Sequence, residues 1–369
     1  MRYDYLIVGA GLAGVTLAEN IATRLDKKVL VVEKRKHIAG NVYDLYDDAG
    51  ILIHRYGPHT FHTNNKIVWD YLSRFTQWRF YQHKVKSYVD GKLVPIPINL
   101  DTVNTLFDLE LNPNSMKQFI KSKQVHKETI DNSEDFALSL VGKELYEKLY
   151  LNYTIKQWGK HPSELSSEVL KRIPLRYDRD DRYFTDQYQG IPQNGYTRMV
   201  ENMIAHDNID LLLGVDYREL ENSIEYDKLI FTGPIDEYFN YRYGRLDYLS
   251  LNFKFESYDQ EFYQSCAAIN YPNDYDFTRI REFKYMTGQK SPKTTILKEY
   301  PYIAHETDEK YYPMYTKENI DLSIRYKELA QREKDTIFVG RLAEFKYYNM
   351  DQVVLRALTV FEEEILGEK

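Results

Sequence analysis

The glycine pattern near the N-terminus constrains the fold more than any other feature of the chain. The segment "YDYLIVGAGLAGVTLAENIA" is typical of a strand, a glycine-rich turn and a helix, and Gly9, Gly11 and Gly14 form G-x-G-x-x-G at that turn. Gly9 permits the tight turn, Gly11 lets the backbone approach a pyrophosphate, and Gly14 lets the helix pack close to the strand. The pattern therefore predicts a Rossmann-like unit that holds a diphosphate at the N-terminus of the helix.

The second predicted strand, "KKVLVVE", ends on an acidic residue, Glu33. A carboxylate at this point accepts hydrogen bonds from ribose hydroxyls and repels a 2'-phosphate. This unit alone does not separate NAD from FAD. FAD is favoured because the glycine-containing loop "EKRKHIAGNVYD" follows the acid, and because the C-terminal "TIFVGRLAEF" returns a strand whose following helix can face a second part of a long cofactor.

Composition and charge limit the classes of partner. The formal net charge is -7, with 56 acidic and 49 basic residues, which argues against a broad nucleic-acid surface. The single cysteine, Cys266, cannot form an intramolecular disulfide and fits a reducing compartment. Glycines interrupt the apolar N-terminal segment after six residues, which is too short for a signal peptide or a membrane span. We therefore expect a cytoplasmic protein that binds neither nucleic acid nor membrane.

The periodicity of the chain divides it into three parts. Prolines in "VPIPIN" enforce extended backbone before a region of helical periodicity. Segments such as "YLSLNFKFES", "CAAINY" and "KTTILKEY" alternate as antiparallel strands do. We predict an α/β fold with an FAD-binding Rossmann-like domain (residues 1–80, 196–240 and 313–369), an inserted helical domain (98–150) and an antiparallel-sheet substrate domain (81–97, 151–195 and 241–312).

Several stretches carry more function-capable side chains than folding requires. They are "YGPHTFHTN" with His59 and His62, "YTIKQWGK" with Tyr153 and Trp158, "KRIPLRYDRDDRYF" with Arg172, Arg176, Arg179 and Arg182, "YYPM" with Tyr312, and "GRLAEFKYYNM" with Arg341 and Tyr347. No further histidine or cysteine cluster has ligand spacing, so no metal site is predicted. Taken alone, the aromatic row that ends at Tyr153 is typical of a core, and "DRDDR" is typical of a solvated turn. His59 is predicted to be structural.

Eight collinear motifs relate the chain to a known family. From residue 3 to about 356, "VGAGLAG", "EKRKHIAGN", "GPHTFHT", "YTIKQWGK", "KRIPLRY", "YFTDQYQGIPQNGYT", "FTGPIDEYF" and "GRLAEFKYYNMDQV" resemble the bacterial UDP-galactopyranose mutases. These flavoenzymes interconvert UDP-galactopyranose and UDP-galactofuranose, a nucleotide-sugar precursor for cell-surface polysaccharides. The resemblance implies an isomerase with FAD as cofactor, active when reduced, covalent catalysis through the flavin N5 without net redox, and a homodimer.

The resemblance also implies roles for individual residues. It implies cofactor contacts for Gly9, Gly11, Gly14, Glu33, Asn41, His62, Arg341 and Met350. It implies catalytic roles for Arg176, Arg279 and His62, with Arg176 on a mobile loop that brings it to the diphosphate. It implies substrate contacts for Tyr153, Trp158, Arg176, Tyr183, Asn270, Arg279, Tyr312, Tyr347 and Asn349. The family often has aspartate after its paired tyrosines; Asn349 keeps the hydrogen bonding there but loses the charge.

Three alternatives remain open at this point. A UDP-N-acetylgalactosamine mutase differs only in the pocket for the sugar C2, and His62 favours the unsubstituted sugar. A flavin amine oxidase or desaturase shares this type of FAD fold but consumes oxygen or another acceptor. A non-catalytic flavin or NAD sensor turns over no nucleotide sugar at all.

Overall fold

A computed structural model of the chain describes residues 2–171, 174–220 and 223–367. Its strands, in chain order, are β1 (Arg2–Val8), β2 (Val29–Glu33), β3 (Asp44–Tyr46), β4 (Leu52–His54), β5 (Phe61–Thr63), β6 (Trp78–Phe80), β7 (Val85–Val89), β8 (Lys92–Ile96), β9 (Tyr188–Pro192), β10 (Ile209–Leu213), β11 (Glu225–Phe231), β12 (Tyr248–Tyr258), β13 (Ala268–Asn270), β14 (Arg279–Glu282), β15 (Thr294–Ile303), β16 (Tyr312–Pro313) and β17 (Thr336–Phe338).

The α-helices are α1 (Leu12–Leu25), α2 (Lys66–Ser73), α3 (Leu100–Phe107), α4 (Pro113–Lys123), α5 (Ser133–Leu145), α6 (Asn152–Trp158), α7 (Glu168–Lys171), α8 (Gly195–Ile204), α9 (Ile235–Tyr238), α10 (Lys284–Thr287), α11 (Lys317–Ala330) and α12 (Met350–Val360). Single turns of π-helix lie at Tyr146–Leu151 and Phe361–Ile365. Among the described residues, none of the helices combines the length and the apolar composition that a membrane-spanning segment needs.

The first sheet is the predicted Rossmann-like sheet. Five parallel strands lie in the order β10-β2-β1-β11-β17. All of β2 is buried, as expected for a parallel strand covered on both faces. Helices α1, α8 and α12 pack together in the core that covers one face. Because β17 pairs with β11 while β1 begins the chain, the nucleotide-binding fold is assembled from both ends of the sequence.

The second sheet has seven strands in the order β16-β12-β15-β14-β13-β7-β8. Its described pairs are antiparallel, as expected for this region, except that β7 runs parallel to β13. A two-residue turn at Asp90 and Gly91 joins β7 to β8, with φ of 52° and 76° in the left-handed region. A long stretch of sequence separates the β7–β8 hairpin from β13. The direction of β7 relative to β13 is therefore not fixed by a short turn, which would make the two strands antiparallel.

The segment β9 differs from the prediction, which assigned it to the substrate domain. It pairs with β5 and β6 in a separate three-stranded sheet beside the nucleotide-binding core. Gly190 allows this pairing, because a Cβ atom there would lie 2.9 Å from the carbonyl oxygen of Arg79 and 3.4 Å from the side chain of Trp78. A close approach of the β6 backbone therefore fixes β9 against the nucleotide-binding part.

The helical part lies between β8 and β9 and extends beyond its predicted end at residue 150. Asparagines Asn99, Asn112 and Asn132 provide the N-caps of α3, α4 and α5, each accepting a hydrogen bond from a backbone amide of the first turn. Helical structure then continues through α6 to Trp158 and resumes at α7. One apolar core joins α3, α4 and α5 to the side chains of α6 and α7, which explains why helices continue past residue 150.

Candidate functional site

A cleft opens at the carboxyl ends of the parallel strands and reaches the junction before α12. This position is where open α/β sheets bind nucleotides. Of the residues predicted to contact a cofactor, the following line it: Gly9, Gly11, Glu33, Asn41, Arg341 and Met350. Asn349, which was predicted to contact substrate, also lines this cleft.

Glycine is suited to each of the three positions of the turn for a different physical reason. Gly9 has φ +105°, and a Cβ atom there would lie 2.1 Å from the hydroxyl oxygen of Thr232. A Cβ atom on Gly14 would lie 2.1 Å from the carbonyl oxygen of Gly9, so this glycine permits the close packing of α1 on the turn. Gly11 is different, because the nearest atom to its Cβ position is the Cα of Gly40 at 3.9 Å. The space beside Gly11 fits the approach of a diphosphate.

Glu33 is held rigidly at the rim of the cleft. Its side-chain oxygens accept hydrogen bonds from the backbone N–H of Ala10, at 3.0 Å, and of Arg35, at 2.9 Å. Each carboxylate oxygen still has a lone pair available. The carboxylate is therefore oriented to accept a hydrogen bond from a ribose hydroxyl, as the sequence predicts for a dinucleotide.

Two ion pairs join the segment before β16 to the nucleotide-binding part. Arg35 donates to Glu309 through Nε at 3.2 Å and Nη2 at 2.5 Å, and its guanidinium lies 4.3 Å from the ring centre of Tyr56. Lys310 pairs with Glu237. All four charged residues line the cleft. Sequence reasoning missed them, although the charged run "HETDEK" before "YYPM" was a visible signal.

Arg341 connects the cofactor cleft to two tyrosines of the predicted substrate set. Its Nη1 donates to the carbonyl oxygen of Tyr311 at 3.1 Å. Its guanidinium lies 4.9 Å from the ring centre of Tyr312 and 5.1 Å from that of Tyr347. These two rings stack with their centres 5.3 Å apart. The strand-to-helix junction thus lies between the nucleotide-binding cleft and the antiparallel sheet.

Of the two histidines in "GPHTFHT", it is His59 that lines the cleft. The Nδ1 of His59 lies 2.7 Å from the carbonyl oxygen of Gly57. Burial lowers the pKa of His59 to about 3, with smaller contributions from His54 and Arg341, so the ring is neutral. The ring forms part of the cleft wall and also bonds to its own loop, and the structural role of His59 stays a prediction.

His62 lies outside that cleft wall, on β5. Its Nδ1 is 2.9 Å from a carboxylate oxygen of Asp186, and its ring stacks on Phe184 with the ring centres 3.6 Å apart. The backbone N–H of Tyr183 in turn donates to the carbonyl oxygen of His83 at 2.7 Å. The segment before β9 therefore links β5 to the residues that precede β7 of the second sheet. The contact of His62 with a cofactor stays a prediction.

Three residues of the predicted substrate set meet on one face of the antiparallel sheet. Asn270 on β13 lies directly opposite Arg279 on β14. The Nη1 of Arg279 donates to the hydroxyl of Tyr153, on α6, at 3.1 Å, and its Nε donates to Glu299 at 2.6 Å. Burial raises the pKa of Tyr153, so its hydroxyl stays protonated. This arrangement places one guanidinium and two neutral polar side chains together.

Arg279 is a shielded cation that pairs with Glu299. Burial acts to lower the pKa of Arg279, but the carboxylate of Glu299, together with the nearby Tyr153 and Tyr312, raises that pKa well above its usual value. The same carboxylate contacts Arg281, whose Nε lies 3.3 Å from it. Sequence reasoning missed both Glu299 and Arg281. The available signal was the spacing of Arg279 and Arg281, since alternate residues of a strand share one face.

Trp158 and Arg176 both make contacts within the protein, and their substrate contacts stay predictions. Trp158 is only 5 % exposed and packs in the core of the helical part. The side chain of Arg176 is 11 % exposed, and its Nη1 donates to the carbonyl oxygens of Asp180, at 3.1 Å, and Arg182. In this structure Arg176 therefore braces its own loop. Arg172, in the same predicted stretch, lies outside the described residues.

No group of three or more histidine, cysteine, aspartate or glutamate side chains within residues 2–171, 174–220 and 223–367 is arranged to hold a metal ion. The parallel sheet and the cleft at its carboxyl ends define a protein of the Rossmann-like nucleotide-binding class. Residues 7–75 match the model of the NAD(P)-binding Rossmann-like domain, and residues 148–347 match the UDP-galactopyranose mutase model. The chain belongs to the UDP-galactopyranose mutase family, and the resemblance drawn from its eight motifs is confirmed.

Relatives match along nearly the whole chain. A probable UDP-galactopyranose mutase of Klebsiella pneumoniae is 39% identical, covering 98% of this chain and 94% of the relative. A dTDP-fucopyranose mutase of Escherichia coli is 36% identical, covering 96% of each. The UDP-galactopyranose mutase of Mycoplasma pneumoniae is 31% identical, covering 98% and 96%.

Solved structures agree on the fold. The structure of a reduced UDP-galactopyranose mutase superposes with a TM-score of 0.79 at 16% identity, covering 100% of this chain and 95% of that one. A putative protoporphyrinogen oxidase of Exiguobacterium gives 0.70 at 16% identity, covering 98% of each chain. At these identities the likeness shows the fold alone.

Proposed function

We propose that the protein interconverts UDP-galactopyranose and UDP-galactofuranose with FAD that is active when reduced, and without net redox. One observation carries the proposal. In a member of this family, Arg341 joins the cofactor cleft to Tyr312 and Tyr347, beside the sheet face that bears Arg279. A dinucleotide and an anionic nucleotide sugar can therefore be held side by side.

The cleft residues fit FAD. Gly11 leaves room for the diphosphate at the N-terminus of α1, and Glu33 is oriented toward a ribose. Asn41, Arg341 and Met350 line the rest of the cleft and would hold the remainder of the cofactor. When bound and reduced, FAD would supply a nucleophile, its N5, for covalent catalysis without net redox.

The side chains of this chain would hold the UDP group during that reaction. Arg279 is charged and can pair with two phosphate oxygens at once, which favours departure of the diphosphate and keeps UDP bound for its return. Burial, with a further contribution from Tyr347, raises the pKa of Tyr312, so its hydroxyl remains a neutral donor. Asn270 lies opposite Arg279, which supports the sugar contact proposed for it.

The reaction is tested by incubating the purified flavoprotein with UDP-galactofuranose, with and without dithionite, and separating the products by chromatography. We expect conversion to UDP-galactopyranose only when the flavin is reduced. Peroxide formation that depends on the substrate, without isomerisation, would instead support the flavin oxidase alternative. No turnover of any nucleotide sugar, with flavin bound and reducible, would support a sensor.

Nucleotide-sugar preference is a second part of the same test. The relative that acts as a dTDP-fucopyranose mutase is nearly as similar to this chain as the probable UDP-galactopyranose mutase, at 36% against 39% identity. The furanose forms of UDP-galactose, of dTDP-fucose and of UDP-N-acetylgalactosamine are compared as substrates. We expect the highest kcat/KM for UDP-galactofuranose. A higher value for either competitor reassigns the substrate and leaves the reaction type unchanged.

Replacing Arg176 with alanine tests the loop that it braces. We expect flavin content to stay normal and kcat/KM to fall by roughly 100-fold, because the variant loses both the brace and a predicted diphosphate contact. Arg179→Ala is the matched control, since that side chain is 67 % exposed and pairs with Asp101 at the surface. Equal kcat/KM values for the two variants would show that Arg176 does not contribute to the substrate site.

The assembly and location follow the resemblance and the cysteine content. We propose that the protein is a homodimer, as its resemblance to the family implies. We also propose that it lies in the cytoplasm, because the single, buried Cys266 fits a reducing compartment. Light scattering of the purified protein measures the first of these, with a mass of twice 44.0 kDa as the expected value.

A further inference from the structure

Arg281 lies beside the proposed diphosphate site and has no role yet. It follows Arg279 by two residues on β14, so both side chains lie on the same face of the sheet. Glu299 on β15 is directly opposite Arg279. Its Oε2 accepts from the Nε of Arg279 at 2.6 Å, and its Oε1 lies 3.3 Å from the Nε of Arg281.

The three side chains are shielded from solvent. The side chain of Glu299 is 2 % exposed, that of Arg281 14 % and that of Arg279 19 %. One carboxylate thus serves two guanidinium groups, and the cluster has a net charge of +1. Lys298 is adjacent to Glu299 in sequence, but it lies on the opposite face of β15, where it pairs with Glu256 at 2.9 Å.

His83 binds the far end of Arg281 without changing this charge. The Nη1 of Arg281 lies 3.0 Å from the Nε2 of His83, and the Nδ1 of His83 lies 3.0 Å from the hydroxyl of Tyr81. A guanidinium only donates, so Nε2 of His83 must accept and carries no proton. Burial, followed by Arg281 and Arg279, holds the pKa of His83 well below its usual value, in agreement with a neutral ring.

The charge balance decides how strongly the site attracts an anion. An isolated Arg279–Glu299 pair would be neutral, and a diphosphate would have to compete with the carboxylate for the guanidinium. A second arginine on the same carboxylate leaves one positive charge in a shielded site, where charges interact more strongly than in water. Arg279 and Arg281 together therefore leave a net positive charge beside Glu299, which Arg279 alone would not.

We propose that Arg281 is a positioning residue: by sharing Glu299, it leaves Arg279 with uncompensated positive charge for the substrate diphosphate. This inference rests on the proposed function, since it assumes a nucleotide diphosphate at Arg279. Arg281 need not touch the substrate. A purely structural role, in which Arg281 only holds His83 and Glu299 in place, makes different predictions for the variants below.

The test is calorimetric titration of UDP into the flavin-loaded protein and its variants. We expect Arg281→Met to weaken UDP binding by about tenfold or more, because the remaining Arg279–Glu299 pair is neutral. We expect Glu299→Gln, of nearly the same shape, to bind UDP at least as tightly as the unmodified protein. The double variant Arg281→Met/Glu299→Gln restores a net charge of +1, and we expect it to recover most of the lost affinity.

A structural role predicts the opposite pattern, in which both single variants bind more weakly and the double variant binds most weakly. That pattern would overturn the inference, as would unchanged UDP affinity in Arg281→Met. Arg281→Lys keeps the charge and should stay within about threefold of the unmodified protein, so it decides the question even if Glu299→Gln fails to fold. If the unmodified protein itself does not bind UDP, the proposed function fails first, and the two failures are distinguished.

Discussion

Replacing Arg279 with alanine lowers kcat/KM for the nucleotide sugar by about 1,000-fold, the largest effect that we expect from a side chain on the substrate face. The variant loses the guanidinium that pairs with the diphosphate. It also leaves the buried Glu299 with Arg281 alone, which makes the remaining pair neutral. Both effects act on the same bound group, so the loss is larger than that of a single exposed contact.

The measurement is steady-state turnover with dithionite-reduced protein, together with the flavin content of each variant. Arg279→Lys is the matched control, since it keeps the positive charge but loses the planar fork that binds two oxygens at once. We expect it to retain more activity than Arg279→Ala and less than the unmodified protein. If Arg279→Ala, with normal flavin content, stays within threefold of the unmodified protein, Arg279 does not bind the diphosphate.

The sequence predicts the nucleotide-binding part well because the determinants there are local. The strand, the glycine turn, the helix and Glu33 lie within one continuous segment, and each glycine has a backbone reason visible in its spacing. The return of "TIFVG" to the same sheet was also predictable, since a buried apolar strand needs a partner. Here local chemistry and the global fold agree.

The sharing of Glu299 between two arginines was not predictable in the same way. It depends on the register between β14 and β15, which are separated by α10 and a loop, and a shift of one residue would place Glu299 on the other face. The roles of His59 and His62 could not be separated for a similar reason. Their spacing was visible, but their surroundings depend on contacts with distant segments, such as Phe184 and Asp186 for His62.

The division of the chain into parts depends on packing as well as on local signals. Gly159, in the left-handed conformation of a C-cap, ends α6 and is visible in the sequence, but only the shared core shows that α6 packs with α3, α4 and α5. Likewise, β9 has the composition of an ordinary strand, and only Gly190 indicates a close approach of another backbone. Tertiary contacts decide such cases.

Two substitutions in the glycine turn are expected to separate cofactor binding from folding. Gly11→Val should give a folded protein with at least about 100-fold weaker FAD binding, because its Cβ position meets only the Cα of Gly40, at 3.9 Å, and adjoins the space proposed for the diphosphate. The backbone of Gly11, at φ -81° and ψ 177°, is one that any residue adopts. We therefore expect valine at this position to obstruct the ligand without straining the backbone of the apoprotein.

Gly14→Val is the matched substitution, with the same added side chain three residues later. Its Cβ atom would lie 2.1 Å from the carbonyl oxygen of Gly9, a backbone atom that cannot move without displacing the whole turn. We expect it to destabilise the fold itself, by roughly 3 kcal/mol or more, as overpacking against fixed backbone does. Thermal unfolding of the apoproteins and fluorescence titration with FAD separate the two effects. Normal FAD affinity in Gly11→Val would show that the diphosphate does not cross the chain at Gly11, whereas equal loss of stability in both variants would mean that Gly11 serves packing as Gly14 does.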